Sequence, residues 1–362
     1  MAKKYQKHYQ EYRGRRSRGR TVLKIIAVAL ALILLAGIVF IVFLNGRVEY
    51  TDDGVRLVLP WSDSRGSAPP ESAAPSAPPV IITGEEPDST PSEEPVSGPE
   101  VIGAVEVTAA QLVDGTAAQA VADAGGNALV VEMKNEYGRL SWRSSSDVAA
   151  VLGVNAADDS VAQAVSALAE TGEIYLVARV TCFRDQALAG ADMGGPLMTR
   201  GGNIWYDRHG LRWVSPVDET VTGYLTQLCL ELADMGFDEI LLDCAGYPDL
   251  GETHVLATDS LRPEDLTAPV SGFLARVRAA LDERGAVLSV VAKEGALTGD
   301  DPNSGMTAGS LAKYACRVWL APGEPGEADC AALLEQAGME NAAGCLVFSG
   351  GSRDVGSWTT AE

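Results

Sequence analysis

Two carboxylates that follow apolar, strand-like runs are the residues of this sequence best suited to chemistry. Asp243 follows residues 240–242 (ILL), a run short enough to be a parallel strand covered on both faces. Glu132 lies near the end of a second run, residues 127–134 (NALVVEMK). The carboxyl ends of strands collect ligands and catalytic groups in α/β sheets and barrels, and an acid there is costly unless it is paired or used. The pattern therefore predicts Asp243 and Glu132 as candidate catalytic residues.

Glycosidic bond cleavage is a reaction that needs two facing carboxyl groups, one as acid and the other as nucleophile or base. Asp243 is the principal candidate for acid/base work, and Glu132 is the natural second carboxylate. A structural role stays open for each of them. Asp243 could pair with Arg179 or Lys134 on neighbouring strands, and Glu132 could pair with the same two cations.

One helix must position the strand that ends at Asp243. Ser215 is a suitable N-cap and Pro216 a suitable first helical residue. Gly236 is placed to end the helix. Between them, apolar residues recur at steps of three and four and so share one helical face; they are Val221, Tyr224, Leu225, Leu228, Leu232 and Met235.

Short apolar strands alternate with helical segments from residue 101 onward, which is typical of a parallel α/β sheet. The seven strand candidates are residues 101–108, 127–134, 174–183, 240–242, 287–292, 316–320 and 345–349. Seven units predict a (β/α)8 TIM-like barrel that is one strand short, or whose last strand the pattern does not reveal. An open doubly wound sheet is the alternative. The first strand lacks a Gly-rich phosphate loop, which counts against nucleotide-binding versions of that sheet.

The N-terminal part of the chain predicts a membrane anchor. Of the 362 residues, which carry a net charge of −21, residues 1–24 hold nine Lys/Arg and one acid. This basic tail precedes residues 25–44, an apolar run long enough to cross a bilayer, so we expect the tail in the cytoplasm and the remainder outside the cell. A cleaved signal peptide is the competing interpretation. A nucleic-acid-binding role for the tail would require it to be free of the membrane.

The composition divides the rest of the chain into three segments. Residues 45–61 contain a modest hairpin signal around Asp52-Asp53-Gly54. Residues 62–100 are rich in Pro, Ser and Glu and are predicted to be a disordered spacer. Residues 101–362 form the predicted barrel.

The six cysteines and three histidines do not suggest a metal site or a cofactor. No C-x-x-C pair occurs, and the histidines are not clustered with other ligands. We expect the cysteines to be buried thiols, although an extracytoplasmic location would permit disulfides.

Three ordered motifs resemble the putative glycoside hydrolase domain family (DUF4015). They are residues 127–142 (NALVVEMKNEYGRLSW), residues 174–189 (IYLVARVTCFRDQALA) and residues 203–248, which contain the run WVSP and the run GFDEILLD. The resemblance covers about residues 101–320. It implies a TIM barrel related to sugar-cleaving enzymes, in agreement with the strand pattern.

The resemblance also implies a set of substrate-binding residues around the two carboxylates. Asp243 matches the family pattern, and Glu132 stands where the family has Asp. The candidate substrate-binding residues are Lys134, Arg179, Asp185, Trp205, Asp207, Trp213 and, beside the fourth strand, Tyr247. The aromatic residues could stack on sugar faces or could instead pack a long loop onto the barrel. Two departures stand out: Gly246 replaces a family Arg, and Val290 and Val291 stand where the fifth strand usually carries an acid.

The function predicted from these observations is that of a membrane-anchored, extracytoplasmic glycoside hydrolase acting on polysaccharide of the cell envelope. The alternative is a catalytically degenerate barrel that binds glycans or has a structural role in the envelope. The missing arginine and the missing fifth-strand acid favour that alternative.

Overall fold

The computed structural model describes residues 48–51, 54–57, 99–191, 193, 195–249, 251–257, 263–300, 303–320, 327–350 and 356–360. The predicted cytoplasmic tail, the predicted membrane helix at 25–44 and nearly all of the predicted spacer lie outside these ranges. Within them, none of the helices has both the length and the apolar character that crossing a bilayer requires.

The chain divides into two compact units, residues 1–87 and residues 88–362. In the first unit, strands β1 (Val48–Thr51) and β2 (Gly54–Leu57) pair antiparallel as the hairpin expected there.

The second unit is a closed barrel of parallel strands in the order β10-β3-β4-β5-β6-β7-β8-β9. The strands are β3 (Gly103–Val107), β4 (Ala128–Lys134), β5 (Tyr175–Thr181), β6 (Glu239–Asp243), β7 (Val287–Ala292), β8 (Arg317–Leu320), β9 (Leu346–Ser349) and β10 (Ser357–Thr359). The TIM-like barrel is thus confirmed, and the open sheet is excluded because β10 joins β9 to β3.

The eighth strand is short and polar, which is why the apolar pattern does not reveal it. Trp358 of β10 lies in register with Gly103 of β3. A Cβ atom at position 103 would lie 2.7 Å from the indole ring of Trp358. Glycine at this position therefore allows the ring to pack against β3 and close the barrel.

Helices surround the barrel between the strands. They are α1 (Ala109–Val113), α2 (Ala117–Ala124), α3 (Asp147–Leu152), α4 (Ser160–Thr171), α5 (Glu219–Met235), α6 (Pro263–Asp282), α7 (Glu294–Thr298), α8 (Ala308–Tyr314) and α9 (Glu327–Gln336). Their apolar faces and the outer faces of the strands share one large core.

Helix α5 begins later than the sequence predicts, so the assignment of Ser215 as N-cap is wrong. Asp218 is the cap, and its side chain accepts hydrogen bonds from the N–H groups of Thr220 and Val221 at 2.9 and 3.1 Å. Ser215 instead belongs to the preceding loop, where its N–H donates to Gly195 O at 2.9 Å. The helix ends at Gly236, as predicted, in the left-handed conformation with φ 109°.

The interior of the barrel has an apolar middle with charged groups at both ends. Val130, Val177 and Leu241 belong to the inner cluster of buried side chains. Since side chains alternate between the two faces of a strand, residues two positions further along β4, β5 and β6 also point inward. These residues are Glu132, Arg179 and Asp243, and they stand at the carboxyl end of the barrel.

Candidate functional site

A cavity of about 300 Å³ opens at the carboxyl end of the strands, and Asp243 is part of its wall. Side chains from β5 to β10 and from the loops after β5, β6 and β7 form this wall, here called the mouth cavity. Its lining residues are Arg179, Arg184, Asp207, Arg208, His209, Trp213, Leu241, Asp243, Cys244, Gly246, Tyr247, Asp249, Val291, Ala292, Lys293, Ala296, Ser304, Met306, Trp319, Leu320, Ser349 and Thr359.

Asp243 is held by donors on both of its oxygens. Arg179 donates to Oδ2 from Nη2 at 2.7 Å and from Nε at 3.1 Å. The N–H of Cys244 donates to Oδ1 at 2.6 Å. The side chains of Arg179 and Asp243 remain 19 and 17% exposed, so solvent still reaches the pair. The structural pairing that the sequence left open for Asp243 is therefore present, and it lies inside the cavity.

Cys244 carries the turn that leads away from β6. Its φ of 48° lies in the left-handed region, which a residue with a side chain adopts at a cost. This conformation aims its N–H back at Asp243, while its carbonyl accepts the N–H of Phe183 at 3.1 Å. The unusual backbone is thus coupled to the orientation of the carboxylate.

Glu132 faces the barrel mouth from β4, with Arg179 as its register partner on β5. Burial raises the pKa of Glu132, and repulsion from Glu136 and Asp243 adds to the rise, while Arg179 opposes it. Its side chain is nevertheless solvent-exposed and does not belong to the wall of the mouth cavity. The two predicted carboxylates are therefore electrostatically coupled across Arg179, with Glu132 on the rim.

Glu106 of β3 is a third acid at this end of the barrel, and sequence reasoning missed it. It alternates with the buried Val105 and Val107 and stays exposed. Burial acts to lower the pKa of Arg179, but Asp243, Glu106 and Glu132 raise it and prevail. Arg179 thus lies among three carboxylates.

Asp207 organises the long loop after β5. Its Oδ1 accepts the N–H groups of His209 and Leu211 at 2.8 and 2.9 Å. Its Oδ2 accepts Arg184 Nε at 2.8 Å and Trp213 Nε1 at 3.2 Å. Burial acts to raise the pKa of Asp207, but these hydrogen bonds and the Arg184 charge outweigh it, so the pKa is lowered. The carboxylate fixes Trp213 in the cavity wall.

A third ion pair in the wall links Asp249 to Lys293, with Nζ 2.5 Å from Oδ2. Lys293 follows β7, the strand on which Val291 stands near the place of the missing acid. Each aspartate in the lining, Asp207, Asp243 or Asp249, therefore contacts a cation of its own.

Three residues expected to bind substrate lie away from the cavity. Lys134 and Asp185 form an ion pair at 2.8 Å with both side chains fully buried, and Lys134 also donates to Thr181 O at 2.6 Å. Trp205 is 2% exposed and donates its indole N–H to Glu252 O at 3.1 Å. None of the three belongs to the wall of the mouth cavity, and all three side chains are buried, so the structure does not present them to a ligand there. Of the remaining expected binding residues, Arg179, Asp207, Trp213 and Tyr247 do line it.

Gly246 explains one departure from the family pattern. A Cβ atom at this position would lie 2.4 Å from the carbonyl oxygen of Ser304. The neighbouring Tyr247 N–H donates to that same oxygen at 2.8 Å. Where the family has an arginine, this chain brings two backbone segments together, which shapes the cavity wall between β6 and α8.

The described residues contain no group of three or more His, Cys, Asp and Glu side chains placed to hold a metal ion. The side chains that line the mouth cavity supply carboxylates, guanidinium groups, an ammonium group, an imidazole and aromatic surfaces.

A family profile described as "Putative glycosyl hydrolase domain" (DUF4015) matches residues 103–305, which is more than half of the chain. The chain belongs to this family. The matched region covers β3 to β7 and contains both predicted catalytic residues. No curated protein matches the chain.

Solved structures similar to this member of the family are mostly sugar-cleaving enzymes by their names. A hypothetical protein from Ruminiclostridium thermocellum ATCC 27405 is 24% identical, with a TM-score of 0.44 over 51% of this chain and 96% of that one. The PgaB (BpsB) glycoside hydrolase domain from Bordetella bronchiseptica is 12% identical, with a TM-score of 0.47 over 69% and 84%. At these values no activity transfers from either protein to this chain.

Proposed function

We propose that the barrel hydrolyses glycosidic bonds in polysaccharide of the cell envelope, with Glu132 as the general acid and Asp243 as the opposing carboxylate. The observation that carries this proposal is the contrast between the two acids. Glu132 has a raised pKa, as a proton donor needs, whereas both oxygens of Asp243 accept hydrogen bonds.

The division of roles follows from these contacts. Both oxygens of Asp243 accept hydrogen bonds, from Arg179 and from Cys244, and this acceptor geometry suits the role of base or nucleophile. Glu132 stands on the solvent-accessible rim, where it can protonate the leaving oxygen and regain a proton from water. This reverses the emphasis of the sequence-based prediction, which gave the acid/base role to Asp243.

The apolar part of the wall supplies a surface for the sugar. Trp213, Tyr247 and Trp319 line the cavity together with Met306 and Leu320. Aromatic rings pack against the C–H faces of pyranose rings while the charged groups contact hydroxyls. We infer that one or two sugar units fill the mouth cavity.

Glycan binding without turnover is the second candidate function. It is favoured by the pairing of each lining aspartate with a cation, because a carboxylate engaged by Arg179 is less available for attack. On this alternative, the barrel would retain polysaccharide and release no new reducing ends.

We further propose that residues 25–44 anchor the chain in the membrane, with the tail of residues 1–24 in the cytoplasm and the barrel outside. The support is the apolar run and the basic block before it. Protease added to intact cells should then remove the barrel and leave the tail protected. A tail that is digested while the barrel survives would overturn this orientation.

The hydrolase proposal is tested with the full-length chain and purified envelope polysaccharide, measuring the release of reducing ends. Asp243→Asn should reduce the rate at least ~100-fold. Asp234→Asn is the matched control, because Asp234 is 62% exposed and pairs with Arg284 on the outside of the barrel. Equal release by wild type and Asp243→Asn would remove Asp243 from catalysis, and polysaccharide binding without any release would support the second candidate.

A further inference from the structure

The charges on the wall of the mouth cavity do not balance, and the excess is positive. Among the described residues of the wall, four side chains are permanent cations and three are carboxylates. The cations are Arg179, Arg184, Arg208 and Lys293, and the carboxylates are Asp207, Asp243 and Asp249. The whole chain, by contrast, carries a net charge of −21. Because a cleft lined by one sign of charge concentrates ions of the other sign, this wall favours an anionic ligand.

Arg208 is the cation in excess. The three aspartates of the wall pair with Arg179, Arg184 and Lys293. Within the part of the chain that the structure describes, Arg208 has no carboxylate partner, and its side chain makes one hydrogen bond, from Nε to His209 Nε2 at 3.2 Å. The donors on its Nη1 and Nη2 atoms are therefore available to a ligand.

The backbone that carries Arg208 is supported from two directions. In the long loop after β5, the Asp207 N–H donates to Leu211 O at 2.9 Å, so Arg208 stands at the tip of a tight turn. The loop after β6 packs against this tip, since a Cβ atom at Gly251 would lie 3.4 Å from the Arg208 N atom. A group held in place before the ligand arrives loses less conformational entropy on binding.

The other acids at this end of the barrel lie on the opposite side of the mouth. Glu106 and Glu132 belong to β3 and β4, whereas the wall of the cavity is formed from β5 to β10 and the loops between them. The mouth thus has a cationic cavity beside an acidic rim. Attraction to Arg208 and repulsion from the rim orient an anionic ligand in the same way, with its charged group inside the cavity.

We propose that the mouth cavity takes a sugar unit that bears a carboxylate, namely a uronic acid residue of a polysaccharide, and that Arg208 binds this carboxylate. The planar fork of a guanidinium group matches a carboxylate through two parallel hydrogen bonds. Trp213 and Trp319 of the same wall supply the apolar surface for the sugar ring. This inference rests on the proposed glycan site and names the class of sugar that the site selects.

The assignment also determines which bond is cleaved. Asp243 stands in the wall and Glu132 on the rim, so Asp243 acts on the uronic acid unit inside the cavity and Glu132 on the oxygen that leads to the next unit outside. The bond from the anomeric carbon of the uronic acid to that oxygen breaks. Water supplies a hydroxyl group to the carbon and, through Glu132, a proton to the oxygen. Each new reducing end is then a uronic acid.

Binding is measured by titration calorimetry with the full-length chain and six tetrasaccharides. Three are built of glucuronic, galacturonic or mannuronic acid, and three are the same chains with every carboxyl group reduced to CH₂OH. At least one uronate should bind ~10-fold more tightly than its reduced form, as expected for hydrogen bonds to a charged group. This preference should shrink at high salt, because the contact is between charges. Equal affinities within all three pairs, or no binding by any of the six, would overturn the proposal.

Arg208→Gln tests the residue itself. It should weaken binding of the preferred uronate ~10-fold and leave the affinity for the reduced chain unchanged. Arg208→Lys keeps the charge without the fork and should lose less. Arg139→Gln is the matched control, because Arg139 is also exposed at the carboxyl end of the barrel, in the loop after β4, but is not part of the cavity wall. If Arg208→Gln weakens both forms equally, or neither, Arg208 does not select the carboxylate.

A phosphate-bearing polymer is the other source of negative charge, and poly(glycerol phosphate) is titrated as its probe. Tighter binding of this polymer than of any uronate would overturn the choice of a carboxylate. The outcome for hydrolysis is read separately, from the reducing ends released. A chain that binds uronates selectively and releases nothing retains this inference and contradicts the hydrolase proposal. A chain that cleaves only the reduced tetrasaccharides retains the hydrolase proposal and contradicts this inference.

Discussion

Arg179 donates from both Nε and Nη2 to a single oxygen of Asp243, at 3.1 and 2.7 Å. The other oxygen accepts the Cys244 N–H at 2.6 Å. Two fixed donors set the rotation of the carboxylate, and each carboxylate oxygen has more than one acceptor position. Asp243 is therefore oriented before a substrate arrives, and it is oriented as an acceptor.

If Asp243 is the acceptor, Glu132 must supply the proton to the leaving oxygen. The loss of kcat in a Glu132 variant should then depend on how much protonation the leaving group needs. Glu132→Gln should lower kcat on polysaccharide by ~10²- to 10⁴-fold. A dinitrophenyl glycoside needs little protonation to depart, so the variant should cleave that substrate at close to the wild-type rate. The measurement is kcat for both substrates with the full-length chain.

The matched comparison for that experiment is Glu106→Gln, which removes a neighbouring charge on β3. This variant should lose less activity on polysaccharide than Glu132→Gln does. Its loss should be the same on both substrates, because it alters only the local electric field. Equal losses on the two substrates for Glu132→Gln would show that Glu132 is not the general acid.

The raised pKa of Glu132 also predicts a pH-dependent stability. The pKa of Glu132 in the folded chain lies above its ordinary value of 4.5, so between these two pKa values the folded chain binds more protons than the unfolded chain. The free energy of unfolding therefore falls as the pH rises from 4.5 through the folded-state pKa. Glu132→Gln should therefore melt ~1–2 °C above wild type at pH 7, a modest gain because the side chain is partly exposed.

Below pH 4.5 the wild-type side chain is protonated, so the two melting temperatures should converge. Glu173→Gln, which removes an exposed acid before β5, should follow wild type at both pH values. If the difference in melting temperature between Glu132→Gln and wild type does not change with pH, the higher stability comes from packing and not from removal of the charge.

The inner face of the barrel is readable from the sequence where strands are long and alternate regularly. Arg179 and Asp243 stand two residues beyond buried inner positions of β5 and β6, and the structure brings them together. Glu106 follows the same rule on β3 and was within reach of the same reasoning. The polar strand β10 has no such pattern, so only the closure of the barrel in the structure identifies it as a strand.

Lys134 shows why alternation fails elsewhere. The register between β4 and β5 shifts between Glu132 and Lys134, so the lysine leaves the inner face that its spacing suggests. Its register partner on β5 is Val180, a member of the outer core, which places the lysine on the helix side. The pairing of Lys293 with Asp249 was equally inaccessible, because it depends on the path of two loops.

The buried pair of Lys134 and Asp185 should be important for stability. Lys134→Met leaves Asp185 as an uncompensated buried charge and should lower the free energy of unfolding by about 3–5 kcal/mol. Adding Asp185→Asn removes that charge and keeps an oxygen for the Leu188 N–H, which Asp185 Oδ1 accepts at 2.8 Å. The double variant should therefore be more stable than Lys134→Met alone in urea unfolding. Strictly additive losses would mean that the two side chains are not coupled.

Gly246 should be intolerant of any side chain, because its Cβ position lies 2.4 Å from Ser304 O. Gly246→Ala must push the β6 loop away from that carbonyl, at a cost of ~1–3 kcal/mol, and should also reduce activity because Tyr247 shifts with it. Gly223→Ala is the matched control: it lies exposed inside α5 with nothing within 4 Å, so the better helix former should raise stability by about 1 kcal/mol. Thermal unfolding of both variants, with kcat measured alongside, checks the pair. If Gly246→Ala is as stable and as active as wild type, the contact between residues 246 and 304 does not shape the mouth cavity.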